Sequence, residues 1–371
     1  MVIKQISLKN YRNYENVKID FNNKINIIIG DNAQGKTNIL ESVYFLSITK
    51  SYRASEDSML ITKGKDFSTI SAKLKQDKIS KKINVFFSKN KKEISLNNSI
   101  VKKLSDFIGI VKIIMMSPED IDIIKGSPSI RRNFLNVELS KLSKEYISKY
   151  NEYNKLLKIR NDYLKLLMTN SIADYRYLDI ITEKLIDRAV YIYIERFKLI
   201  SELNKKINKI YYDITLNKSL TLKYNPNIEI ISFDEETVRS AIKEKLIKYR
   251  QKEISVGMTL YGPHRDDFSF WLDENNIEFY GSQGQQKLSV IALKLSLVYV
   301  FYERFNEMPI LLLDDIFSEL DKKKKNKIID YINNVGQVII TTNDISDIKK
   351  NKLSNVSIYK IKNKKIIEKV I

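Results

Sequence analysis

The segment Gly30-Asp31-Asn32-Ala33-Gln34-Gly35-Lys36-Thr37 spaces two glycines, a lysine and a hydroxyl as G-x-x-x-x-G-K-[ST]. The glycines let the backbone curl until successive N–H groups face a phosphate chain. The lysine then reaches the outer phosphate oxygens, and the threonine hydroxyl is offered to Mg²⁺. Such a loop needs a buried strand before it and a helix after it. Both are present: 25–29 is a continuous apolar run, and 39–48 is apolar at helical spacing. All eight residues from Gly30 to Thr37 are therefore candidates for cradling ATP.

A loop of this kind calls for a carboxylate at the end of a neighbouring strand. Pro309-Ile310-Leu311-Leu312-Leu313-Asp314-Asp315 supplies one. Asp314 is expected to hold Mg²⁺ with Thr37, and Asp315 to orient or deprotonate the attacking water. Just beyond, Ser318-Glu319-Leu320-Asp321 reads as a helix start, with Ser318 as the cap and Asp321 in the first turn. A third element, Gly281-Ser282-Gln283-Gly284-Gln285-Gln286-Lys287, precedes the apolar helix LSVIALKLSLVYVFYERF. A serine and glycines at a helix start make a second anion-binding end.

Composition narrows the class around these motifs. The chain has 371 residues, 43% of them hydrophobic, which is enough for two folded domains or for one with a large insertion. No stretch of 18 apolar residues occurs, and the opening MVIKQISLKNYRNYEN turns polar too early for a signal peptide, so a cytoplasmic protein is expected. The absence of cysteine removes disulfides, zinc ribbons and thiol nucleophiles. The one histidine, His264, makes a histidine metal site or a Ser–His triad a poor reading. The net charge of +19 favours a polyanionic partner, nucleic acid first; the alternative is a lysine-rich composition spread over solvated faces. Only ten glycines occur, and Gly30, Gly35, Gly262, Gly281 and Gly284 fall in the motifs.

The remaining sequence must position those motifs. Residues 2–9 and 17–21 alternate as paired strands. Three further alternating strands fill 68–96, where ten lysines between Lys73 and Lys103 face only Asp77 and Glu93, and 111–116 reads as a buried strand. From 130 to 212 the apolar spacing is helical in two long runs broken at TNSIADYR, an antiparallel arm whose seam is interrupted by Lys149, Arg160 and Arg196. A strand or two and a helix at 237–250 follow. The expected architecture is α/β: a head whose N-terminal half (1–125) carries the P-loop and a basic meander, an inserted helical arm (126–254), and a C-terminal half (255–371).

The P-loop, the carboxylate strand and the Ser282 motif follow the pattern of ABC-type P-loop ATPases. The order of motifs resembles the RecF family, bacterial recombination and repair ATPases related to the heads of chromosome-maintenance (SMC) proteins. The resemblance runs the full length, through SLKNYRNY, GDNAQGKTN, MSPEDIDIIKGSPSIRRNFLN, YGPHRDDF, GSQGQQK, LLLDDIFSELD and VIITTND. It implies that Lys36 of one copy and Ser282 of another enclose the same ATP, so that ATP closes a homodimer and slow, DNA-stimulated hydrolysis opens it. Lys36, Asp315 and Ser282 would then be the catalytic set, with Asp321 at the interface. It also implies binding to double-stranded, gapped or junction DNA, work with the RecO and RecR mediators, and help in loading the RecA recombinase during repair, replication restart and the SOS response.

Two positions depart from the wider superfamily. Asp315 stands where a glutamate is usual, and Thr341-Thr342-Asn343 stands where a switch histidine is usual. Several basic positions keep two readings. Arg12 and Asn13 touch nucleotide or sit on a surface turn. His264–Asp267 form a ligand-responsive loop or a buried ion-paired turn. Arg131 and Arg132 contact phosphate or pair with acids. Among other functions, a transporter ATPase fits poorly with the arm and the charge; the remaining alternative is an ATP-gated scaffold whose basic surface meets acidic protein partners and not DNA.

Overall fold

The structure, a computed structural model, describes residues 1–77, 79–169, 174–216, 219–317, 320–343, 353 and 355–370. Two compact units share the chain. The first takes Met1–Asp120, Lys209–Asn217 and Lys287–Ile371, and the second takes Ile121–Asn208 and Lys218–Gln286.

In the first unit a six-stranded antiparallel sheet runs in the order Tyr14–Asp20, Val2–Tyr11, Phe67–Gln76, Ile79–Ser88, Lys92–Leu96 and Ser99–Ile100. Its strands alternate because one face is buried and the other wet. Ile70, Ala72, Leu74, Ile83, Val85 and Phe87 point into a core shared with Ile39, Leu40, Val43 and Phe45 of the helix Lys36–Ile48. The second sheet runs Lys365–Val370, Val356–Lys362, Ile25–Ile29, Val338–Thr342, Ile310–Asp314 and Ile113–Met116. Its pairings are parallel except at the C-terminal hairpin. The central strands are buried on both faces, which explains their unbroken apolar runs.

The second unit contains most of the arm: helices Pro128–Leu142, Lys144–Thr169 and the greater part of Tyr175–Thr215. The first long helical run expected from the sequence is interrupted. Ser143 takes extended geometry (φ −146°, ψ 120°), and its hydroxyl accepts from the Tyr146 N–H at 3.1 Å, ending one helix and capping the next. Asn170–Ala173, within the expected turn TNSIADYR, lie outside the described residues. One strand, Leu220–Asn225, precedes the helix Glu235–Lys248, which Asp234 caps by accepting from the Thr237 N–H at 2.9 Å.

Leu220–Asn225 pairs with Asp267–Leu272, which pairs with Asn275–Asn276. The sequence boundary at 254 leaves these last strands out of the arm, whereas the compact unit extends to Gln286. Ion pairs from the arm helices to Asp266 and Asp267 hold them there. A second difference concerns the helix Lys322–Asn333. Its cap is Asp321, whose carboxylate accepts from the Lys324 N–H at 3.0 Å; Asp321 therefore precedes the first turn, and Ser318 and Glu319 lie outside the described residues.

Candidate functional site

The loop 30–35 joins the buried strand Ile25–Ile29 to the helix Lys36–Ile48. Gly35 has φ +102°, and a Cβ there would lie 2.6 Å from the Tyr14 hydroxyl and 2.8 Å from the Asn13 amide nitrogen. Both the backbone and the space demand glycine. Lys36 folds back across the loop, donating to the carbonyls of Gly30 (2.5 Å) and Asp31 (2.9 Å) and to Asn343 Oδ1 (2.8 Å). Burial lowers the proton affinity of its ammonium, while the carboxylates of Asp315, Asp314 and Asp31 pull the other way.

Asp314 ends the strand Ile310–Asp314 and is buried. Hydroxyls address both its oxygens: Thr37 Oγ1 donates to Oδ1 at 3.1 Å, Thr341 Oγ1 to Oδ1 at 2.5 Å, and Tyr52 Oη to Oδ2 at 3.4 Å. Burial raises the carboxyl, opposed by the hydrogen bonds from Thr341 and Thr37. Sheet order builds this cluster. The strand Val338–Thr342 lies between the P-loop strand and the carboxylate strand, with Thr341 in register with both Ile28 and Asp314. Asp315 follows in the left-handed region (φ 46°), so the chain turns sharply at the sheet's edge.

A buried carboxylate surrounded by hydroxyl oxygens, with no ammonium or guanidinium bonded to it among the described residues, suits a hard divalent cation such as Mg²⁺. Among the described residues no group of three or more His, Cys, Asp or Glu could cage a metal alone.

Ser282 belongs to the second unit and is exposed. It starts the helix Gln283–Phe305 through a reciprocal box: its hydroxyl accepts from the Gln285 N–H at 3.3 Å, and Gln285 Oε1 accepts from the Ser282 N–H at 2.8 Å. A Cβ at Gly284 would meet nothing within 4 Å, so the chain's own packing does not require glycine there.

The open readings of the basic motifs resolve toward internal pairing. Arg131 grips Asp267 with two hydrogen bonds, 2.6 and 2.9 Å, and Arg132 donates to the Asp266 carbonyl at 2.8 Å. Asp266 is fully buried against Arg196 at 3.1 Å and accepts from Tyr224. His264 sits between the Tyr153 hydroxyl (2.6 Å) and the Thr259 carbonyl (3.1 Å). GPHRDD is thus an ion-paired turn anchored by the buried Asp266, with Arg265 exposed. Arg12 clamps Glu41 of the P-loop helix at 2.9 and 2.6 Å. Of the arm residues that break the apolar seam, Arg160 is buried on Glu253 at 2.7 Å. Sequence reasoning missed Glu41 and Tyr52. An acid inside the apolar run NILESVYFL was the available signal for Glu41; nothing local marks Tyr52.

The parallel sheet, the loop over its edge and the Thr37–Asp314 contact define a P-loop ATPase head of the SMC kind. Residues 2–367 match the family described as RecF/RecN/SMC N terminal domain. The DNA replication and repair protein RecF of Geobacillus sp. (strain WCH70) is 37% identical over 363 residues, 97% of each chain. The RecF of Bacillus subtilis (strain 168) is 35% identical over 370 residues, 99% of this chain and 100% of that one. A solved structure of the recombination mediator protein RecF-ATP in the RecFOR pathway superposes with a TM-score of 0.91 at 31% identity, covering 100% of this chain and 97% of that one. An Smc head bound to the C-winged helix domain of ScpA, 15% identical, shares the fold at a TM-score of 0.57 over 99% and 96% of the chains. The chain belongs to the RecF family. Among the described residues no helix is long and apolar enough to cross a membrane.

Proposed function

We propose that the chain is an ATP-gated DNA-binding switch of recombinational repair and replication restart. Gly30–Thr37 hold the ATP phosphates, with Lys36 on the outer oxygens; Thr37 and Asp314 hold Mg²⁺, whose charge would offset that building on the transferred phosphoryl group. Asp315 orients or deprotonates the attacking water. Ser282 of a second copy completes the site, so ATP favours a homodimer and slow, DNA-stimulated hydrolysis releases it. The observation that carries this reading is the convergence of Lys36, Thr37, Asp314 and Asn343, from three strands' ends, at one sheet edge. The exposed Ser282 and the open space at Gly284 support an approach from outside the chain.

DNA binding is supported by the wet face of the antiparallel sheet. Lys9, Lys18, Lys73, Lys75 and Lys82 are exposed there, with Lys73 directly opposite Lys82. Like charges facing each other across a ladder are unfavourable until a polyanion neutralises them. As in the RecFOR pathway named for the solved relatives, the partners would be RecO and RecR and, downstream, the RecA recombinase, in the cytoplasm.

Fluorescence anisotropy with duplex, single-stranded and gapped DNA, with and without ATP, tests this reading. Salt-sensitive binding strengthened by ATP is expected. Absence of ATP-dependent binding would leave a scaffold without DNA. In sedimentation, Lys36→Ala and Ser282→Ala should each abolish ATP-induced dimers; dimers persisting in both would refute the shared site.

A further inference from the structure

Glu41 is fully buried in the helix that follows the P-loop, where a carboxylate needs partners to be tolerated. Charged and polar groups meet it, and the buried Tyr11 phenol lies among them. Arg12 forks onto both oxygens, and Ser51 Oγ donates to Oε1 at 2.5 Å. The same Ser51 oxygen accepts from the N–H groups of Arg53 (2.9 Å) and Ala54 (2.8 Å). The turn 51–54 is thereby fastened to the P-loop helix. Tyr52, in the middle of that turn, packs edge-on against Tyr44 of the helix, with centroids 5.5 Å apart, and directs its hydroxyl to Asp314 Oδ2 at 3.4 Å. The other Asp314 oxygen is already occupied by Thr37 and Thr341. A phenol carries its proton at neutral pH, so toward a carboxylate it acts as a donor.

We propose that Tyr52 is a positioning residue for the metal-holding carboxylate, set by the Arg12–Glu41–Ser51 brace behind it. This rests on the ATPase reading above. Hydrogen-bond partners of a metal-ligating carboxylate fix the lone pair it presents, and losing one typically weakens the metal about tenfold or more. Arg12 acts on the site through this brace and does not need to touch nucleotide.

The test titrates Mg²⁺ into full-length protein with a fluorescent ATP analogue, beside a series in EDTA. Wild-type protein that binds no nucleotide would defeat the ATPase reading itself. With wild type binding, Tyr52→Phe should raise the Mg²⁺ concentration at half-saturation about tenfold and leave metal-free binding unchanged. Ser51→Ala, which has no contact with Asp314, should shift it the same way but less, by about threefold, because it loosens the turn that carries Tyr52 and leaves the phenol in place. An unchanged Mg²⁺ midpoint in Tyr52→Phe overturns the proposal. Equal loss of metal-free binding also overturns it, because Tyr52 would then only support loop packing.

Discussion

Acid should unfold this chain partly through one side chain, His264. Its imidazole lies mostly buried between a phenol and a carbonyl, with Arg265, Arg132 and Arg196 nearby. The carbonyl of Thr259 can only accept, so Nε2 carries the proton and Nδ1 accepts from Tyr153. A second proton has no acceptor on that side and meets three cations. Desolvation, the largest cause, and this repulsion push the imidazole down to about 4 from the ordinary 6.5.

The sign follows from which state takes the proton first. The unfolded imidazole protonates near 6.5 and the folded one near 4, so the unfolded state binds more protons throughout that window and stability falls on acidification. The slope is about 1.4 kcal/mol per pH unit, or about 2 kcal/mol lost by pH 5. The stabilisation is complete above pH 6.5 and gone below pH 4. Because the chain has one histidine, a single imidazole resonance reports the folded value directly by NMR. Urea unfolding of wild type and His264→Gln at pH 7.5 and pH 5 isolates its share from that of the carboxylates, and wild type should lose about 2 kcal/mol more than the variant. An imidazole titrating near 6.5 in the folded chain, or parallel losses in both proteins, would refute the reasoning.

The glycines separate two kinds of constraint. Gly35→Ala should weaken nucleotide binding about tenfold or more, because φ +102° and a 2.6 Å clash oppose it, whereas Gly284→Ala should leave the melting temperature unchanged or raised and still block ATP-induced dimers in sedimentation. Glu253→Ala strands the buried Arg160 guanidinium and should destabilise the protein by about 3–5 kcal/mol in calorimetry, far more than a surface ion pair such as Lys91–Glu93 would. If the wet sheet face tracks phosphate, Lys73→Gln with Lys82→Gln should reduce the slope of log affinity against log salt by about 2 in anisotropy titrations.

What the sequence determined was local. The P-loop was legible because strand, loop and helix are consecutive and the left-handed Gly35 and the following Lys36 work within one turn of chain. The apolar runs at 25–29 and 310–314 named the buried strands, and the alternation at 68–96 named the meander. Tertiary structure decided what depends on neighbours remote in sequence. Only the strand order brings Asn343 to Lys36 and Thr341 to Asp314, and only folding shows that Tyr52 reaches that carboxylate. The same holds for charge. Arg131 and Arg12 look like phosphate ligands in one dimension, and became internal ties because Asp267 lies against the one and the buried Glu41 against the other; a carboxylate drawn out of water binds the nearest cation before any ligand can.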